Sequence, residues 1–345
     1  MINRLKHFMS TVYVLMVARN KEFYRDRAGM MWALFFPFLM VGAIGFAFSG
    51  GEPTIFKFGY LAAESASVES LPMPGEAYIE QVRYDDLETA LQRLRSFQVD
   101  ILVSTEHPGE YWINESSPSS MALEQIMRTH PDWSGMQRQA VTGREIRYVD
   151  WVIPGILGMN LMFGSVFGIG YVIVRYRKNG VLKRMQATPV TPLQFLTAQV
   201  LSRLMVMAVI CVILYIGCDL MIDFIMQGSY LDLVIVGVLA IFSMITLAMI
   251  MAARTTSEEL AGGLLNLVTF PMLLLSEVWF SLDDAPGWLQ GFSQCLPLTH
   301  AVHAAREIML NGTPLSELML HVWVLLAMSI VFLVIGSVMF RWNEA

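Results

Sequence analysis

Three long runs without a charge constrain this chain more than any other feature. Residues 31–49, 152–174 and 233–253 contain no Asp, Glu, Lys or Arg. About 20 apolar residues are needed for a helix to cross about 30 Å of hydrocarbon, and each run satisfies that length. Three further stretches do so with at most one charge: 193–218 with Arg203, 260–282 with Glu277, and 322–340. The chain therefore reads as six membrane spans. Composition agrees, because 55% hydrophobic against 15% charged residues leaves too little polar surface to cover a soluble globule of 345 residues. Pro37, Pro154 and Pro271 fall inside spans, where neighbouring helices can satisfy the carbonyls that a proline frees.

The Lys/Arg bias of short connections orients the spans. Arg4, Lys6, Arg19, Lys21, Arg25 and Arg27 precede the first, and Arg175, Arg177, Lys178, Lys183 and Arg184 lie between the second and third. Both segments are expected in the cytoplasm, with both termini. Residues 219–232 carry three aspartates and no Lys or Arg, and 283–319 carry only Arg306, so these are expected outside. Arg203 then lies near the inner end of its span, where a long side chain can snorkel to the interface.

The first residues resemble a signal peptide in their basic start, but no small-x-small cleavage site follows. Phe8, Val12, Leu15, Met16 and Phe23, with Arg19 and Lys21 among them, fit an amphipathic helix at the inner membrane surface.

Residues 51–150 form the one large polar block and hold most of the acidic residues. "FKFGYLAAE", "VDILVS" and "GEYWINES" read as strands. "DDLETALQRLRSF", with Leu87, Leu91 and Leu94 on one face, and "SSMALEQIMRTH" read as helices. A small α/β domain is expected, outside the membrane. Its mixed charge lacks the basic face that nucleic acid requires. Cys211 and Cys218 fall in a span and Cys295 outside, a placement that offers no intrachain disulfide.

No phosphate-binding G-x-x-x-x-G-K-[ST], no H-E-x-x-H and no G-x-S-x-G occurs, so the residues supply no route to ATP or bond hydrolysis. The glycines of "GSVFGIG", 164–170, read as helix-packing positions. "NES" and "NGT" match a glycosylation triplet that chance also produces. His300, His303 and Glu307 can share a helical face and imitate a metal site; interfacial anchoring explains them as well. The 25 methionines are scattered through the spans as pliable packing rather than gathered as copper ligands.

The longest cytoplasmic connection, "KNGVLKRMQATPVTPLQF" at 178–195, places Val181, Leu182 and Met185 on one helical face. Lys178, Lys183 and Arg184 surround it, and Pro189 and Pro192 are expected to end the helix. By pattern alone it is either a topogenic loop lying on lipid or a rigid helix that passes movement from a cytosolic partner to two spans.

"RYRKNGVLKRMQATPVTPLQFLTAQVL" resembles the segment after the second span of type-2 ABC exporter permeases, usually an acidic-basic run, G-T-L-x-R-L and A-T-P-V/L-S. "PMLLLSEVWFSLDDAPGWLQGFSQCLPLTHAVHAAREIMLNG", 271–312, is similar to that family's fifth span and external re-entrant stretch. "YVDWVIPGILGMNLM" and "ETALQRLRSFQVDILV" are further matches, in the family's order.

The resemblance implies an all-α polytopic membrane domain of six transmembrane helices with an inserted small α/β extracytoplasmic domain. Residues 1–29 become a cytoplasmic elbow helix, 30–50 the first span and 51–150 the external domain. Residues 151–345 become five spans, with a coupling helix at 176–190 and a re-entrant segment at 283–312. It implies a permease subunit in a bacterial inner membrane, paired with a second copy or a similar chain. A cytosolic subunit would bind ATP and Mg, with no cofactor in this chain. Gly180, Leu182, Lys183, Arg184, Met185, Thr188 and Pro189 fall on the coupling motif. Pro286, Pro297, Thr299 and Arg306 fall on the external landmark, and Glu277, Pro297, Thr299 and Arg306 are expected to belong to the transport path or its gate.

The sequence departs from the family pattern twice. Arg177, Lys178 and Asn179 stand where acidic residues usually precede the glycine. Glu277 stands where glycine is common; a carboxyl there is a candidate for binding a cationic substrate or carrying a proton, or for pairing with Arg306. A path rich in Met, Phe and Gly suits a hydrophobic or amphipathic substrate such as a drug or lipid. A stand-alone channel or secondary transporter, which would show paired broken helices, and a membrane receptor or assembly protein are the competing classes.

Overall fold

The structure is a computed structural model that describes residues 2–47, 56–61, 79–104, 109–129, 133, 135–144, 146–255, 257–282 and 285–339. In chain order its elements are α1 (Ile2–Arg25), α2 (Arg27–Ala47), β1 (Phe56–Leu61), β2 (Ile79–Tyr84), α3 (Leu87–Arg95), β3 (Ile101–Ser104), β4 (Glu110–Asn114), α4 (Pro118–Met127) and β5 (Gln137–Val141). There follow α5 (Tyr148–Lys178), α6 (Val181–Gln186), α7 (Pro192–Ile222), α8 (Tyr230–Ala252), α9 (Glu258–Leu275), α10 (Gly287–Ser293), α11 (Pro297–Arg306) and α12 (Met319–Met339). A single π-helical turn, Glu307–Asn311, extends α11. The chain forms two compact units, Met1–Ala47 with Val149–Ala345, and Phe48–Tyr148.

In the helical unit α2, α5, α7, α8, α9 and α12 are each long and apolar enough to cross a membrane, so the described residues carry the six expected spans. Apolar side chains left exposed, such as Trp32, Phe35, Leu220, Leu267 and Val338, are what a bilayer can cover. The ends of the first and last expected spans, 48–49 and 340, lie outside the described residues, as do 283–284 of the re-entrant segment. Asp26 separates α1 from α2 and accepts the Gly29 amide at 3.0 Å, so the first span begins at Arg27 and the elbow ends earlier than expected. Val12 is buried and Phe8, Leu15, Met16 and Phe23 are half-buried on the inward side of α1, which lies along α7.

Three expectations are corrected. Pro192 opens a helix rather than ending one. It is the first residue of α7, behind a Thr191 cap whose amide is in turn accepted by Gln194 at 2.8 Å, and proline at this position loses no helical hydrogen bond. The fifth span does not run to 282: α9 stops at Leu275, and Glu277 takes a left-handed backbone conformation at φ 53°. Arg203 does not snorkel. It is 9% exposed, and its Nε donates to the Gly164 carbonyl of α5 at 2.7 Å. Bare helix backbone at Gly164 and Gly168 gives it a polar partner inside the bundle, so it need not reach the interface.

The second unit is a five-stranded sheet ordered β2-β1-β3-β4-β5. β1 runs parallel to β2 and β3, β3 antiparallel to β4, and β4 parallel to β5. Alternation along the strands divides its core. Phe58, Ile101, Val103, Tyr111 and Ile113 pack with Leu123 and Met127 of α4, while Leu61, Leu102 and Trp112 pack with Ala90 and Leu94 of α3. Leu87 and Leu91 join the second group, as their spacing predicts. The sequence reading missed β2 and β5, because "IEQVRY" and "QRQAV" are polar edge strands and β5 is almost wholly exposed. Residues 62–64 of the first expected strand lie outside the described residues.

Candidate functional site

The basic connection between α5 and α7 is built from one buried anchor and several exposed cations. Gly180 takes φ 64°, a conformation glycine adopts without a Cβ penalty, and there the chain leaves α5 and starts α6. Leu182 is fully buried, Val181 and Met185 are half-buried, and Lys183, Arg184, Thr188 and Pro189 are exposed. The Thr188 hydroxyl donates to the Met185 carbonyl at 2.6 Å and closes the turn after α6. The short helix thus stands on its apolar residue and presents its charges outward.

Sequence reasoning missed what holds this helix in place. Arg177 is buried at the end of α5 and donates to the carbonyls of Ala252 at 3.0 Å, Ala253 at 2.9 Å and Thr255. These lie at the C-terminus of α8, where carbonyls lack helical partners and carry the negative end of the helix dipole. Lys178 pairs with Glu258, in the first turn of α9, at 3.2 Å. The basic residues that depart from the family pattern therefore tie α5 and the start of α6 to both α8 and α9. The three accepting carbonyls, of Ala252, Ala253 and Thr255, gave no sequence signal, because backbone acceptors look alike in every sequence.

At the opposite end of the bundle the landmark residues converge. Arg306 is buried on α11; its Nη1 meets Glu277 Oε2 at 3.2 Å and its Nη2 donates to the Glu277 carbonyl at 2.6 Å. Its guanidinium carbon lies 3.8 Å from the centre of the Trp151 ring, and Nε donates to the Trp151 carbonyl at 3.3 Å. The Thr299 hydroxyl joins the Ser276 hydroxyl at 3.0 Å and donates to the Ser293 carbonyl at 2.7 Å. Pro297 is the first residue of α11 and Pro286 precedes α10. Glu277, Pro297, Thr299 and Arg306 thus fasten α10 and α11 to the end of α9. The Glu277 carboxylate has an internal cationic partner.

The histidines make a different set from the expected one. His300 Nδ1 stands 3.0 Å from Nδ1 of His321 on α12, His300 Nε2 is 2.8 Å from the Gln294 carbonyl, and the His303 ring stacks on His321 with centroids 4.6 Å apart. Glu307 instead accepts from Asn311 at 2.9 Å and Thr313 at 3.0 Å. Stacked imidazoles do not aim their lone pairs at one point, and the described residues hold no group of three ligands placed for a metal.

Six helices long and apolar enough to cross a membrane define a multi-pass membrane protein. The chain belongs to the ABC-2 transporter family: the model for "ABC-2 family transporter protein" matches residues 27–338. Among curated relatives it is 35% identical over 96 residues to Nodulation protein J of Rhizobium meliloti (strain 1021), covering 28% of this chain and 36% of that one. It is 24% identical over 169 residues to the Daunorubicin resistance ABC transporter permease protein DrrB1 of Streptomyces coeruleorubidus, covering 48% and 59%. It is 24% identical over 184 residues to the Inner membrane transport permease YhhJ of Escherichia coli (strain K12), covering 53% and 49%. The matches thus span between about a third and six-tenths of these relatives' lengths.

Proposed function

We propose that this chain is the membrane permease subunit of an ATP-driven exporter, working with a separate ATP-binding subunit and with a second permease chain, identical or similar. The carrying observation is α6: exposed Lys183 and Arg184 on a short helix whose Leu182 is buried and whose base is fixed by Arg177. A surface that docks an ATPase needs accessible contacts, and a lever needs a stiff mounting. Arg177 and Lys178 supply the mounting, so displacement of α6 moves α5, α8 and α9 together.

In this reading the basic connection and α1 face the cytoplasm of a bacterial cell, as the Lys/Arg bias directs, and the α/β unit and the Arg306 junction lie outside. ATP and Mg belong to the partner. A hydrophobic or amphipathic cargo suits a bundle so rich in Met and Phe, and the drug-resistance permease among the relatives supports that class.

The test is purification of the tagged chain from its own membranes with every co-purifying protein quantified. A stoichiometric ATP-binding subunit is expected. The double variant Lys183→Asp, Arg184→Asp, which leaves the buried Leu182 in place, loses that subunit and keeps membrane insertion. Intact complexes without such a subunit, or full retention by the variant, would overturn the assignment.

A further inference from the structure

A narrow cavity of about 60 Å³ lies between α5, α7, α8 and α11. Its walls are not alike. Leu157 and Leu161 of α5, Ala240 of α8 and Met309 of the π-helical turn are buried and close its floor. Cys211 and Tyr215 of α7 and Leu233 and Gly237 of α8 are half-buried and form its mouth, where a Cβ on Gly237 would meet nothing within 4 Å. The cavity is therefore a slot that opens between two helices. Beside these mouth residues Val212, Ile216 and Val234 are exposed, apolar and on helices long enough to cross a membrane, so hydrocarbon surrounds the opening.

Dimensions and lining select the occupant. From Leu233 to Ala240 the wall runs about 10 Å along the axis of α8. A benzene ring fills a cavity of about 150 Å³, so a slot of this length and about 60 Å³ admits a single file of methylenes and no ring. The side chains that line it are apolar apart from the Cys211 thiol and the Tyr215 hydroxyl, which offer water too few partners to fill it. The Tyr215 hydroxyl is buried without a hydrogen bond, although the Tyr230 ring meets its own ring edge-on at 5.9 Å. A buried donor left unmade is costly, and an oxygen on the occupant would satisfy it.

We infer that the slot holds one acyl chain of a bilayer lipid, which enters between α7 and α8 and whose ester carbonyl accepts from the Tyr215 hydroxyl. The bilayer is the source because the mouth opens into it: a chain beside α7 and α8 already lies in an apolar phase and enters without passing through water. Once inside, it fills the gap that the helices leave between them.

The test uses the full chain in lipid nanodiscs that contain a phosphatidylcholine with a diazirine near the end of one acyl chain. After illumination, adducts are mapped by peptide mass spectrometry. Lipid that merely surrounds the protein reaches exposed Val212 and Val234, whereas a chain in the slot also reaches Leu157, Leu161 and Met309. Adducts on these floor residues are expected. Gly237→Phe, whose ring fills the mouth, is expected to cut them about fivefold or more and to leave those on Val212 and Val234 unchanged. Tyr215→Phe is expected to lower the floor adducts about twofold, and an unchanged yield would overturn the carbonyl contact. Adducts confined to exposed residues, or floor adducts undiminished in Gly237→Phe, would overturn the inference as a whole. Should Gly237→Phe not fold, the presence or absence of floor adducts on the unaltered chain decides it alone.

Discussion

Arg306 grips Glu277 twice, by the carboxylate at 3.2 Å and by the backbone carbonyl at 2.6 Å, while lying over Trp151. The second contact explains how a residue with a side chain occupies φ 53°, because the left-handed backbone turns its carbonyl toward the guanidinium. Removing one member of a buried pair leaves the other uncompensated. Arg306→Met is expected to destabilise by about 3 kcal/mol. Glu277→Gly also leaves Arg306 without its carboxylate, but it keeps the carbonyl contact and relieves about 1 kcal/mol of backbone strain, so its loss is expected to be smaller by about that amount. Unfolding of both variants in one detergent checks the order.

Arg177 and Lys183 are both basic and within six residues of each other, yet their environments differ. Arg177→Met strands three carbonyls at the end of α8, and a loss of about 2–4 kcal/mol is expected from hydrogen bonds to a charged group. Lys183→Met, on an exposed residue, is expected to stay within about 0.5 kcal/mol. Parallel thermal unfolding measures the contrast, and recovery of a co-purifying ATPase measures which of the two also weakens docking.

Gly168 and Gly237 invite opposite outcomes from the same substitution. A Cβ at Gly168 collides with the Arg203 guanidinium, and Gly168→Ala is expected to cost about 1–3 kcal/mol through overpacking. At Gly237 nothing lies within 4 Å of the added atom, so Gly237→Ala is expected to stabilise by about 0.5–1 kcal/mol through helix propensity. Melting temperatures should move in opposite directions.

In the α/β unit, Asp86 caps α3 by accepting the Thr89 amide at 2.9 Å and the Thr89 hydroxyl at 3.0 Å. The amide bond, then the hydroxyl, hold its carboxyl below the usual carboxylate range. A lowered folded pKa makes this stabilisation complete above the unfolded value near 4 and loses it as pH falls through the folded one. Asp86→Asn retains a capping oxygen without the charge, and its stability difference from the unaltered chain is expected to shrink on acidification below about pH 4. Melting curves across pH 3–7 check the sign.

The amino-acid sequence by itself determined the six spans, the basic connection, the inner face of α1 through Val12, and α3 with its Leu94 face. Each depends on hydrophobic length or period, which neighbours along the chain express. Tertiary structure alone decided the rest. It sent Arg203 onto Gly164 instead of the interface, gave Arg177 the end of α8, joined Glu277 to Arg306 across 29 residues, and paired the polar strands β2 and β5 into the sheet. These contacts rest on backbone carbonyls, absent side chains and partners distant in sequence, and none of the three leaves a local pattern in the order of residues.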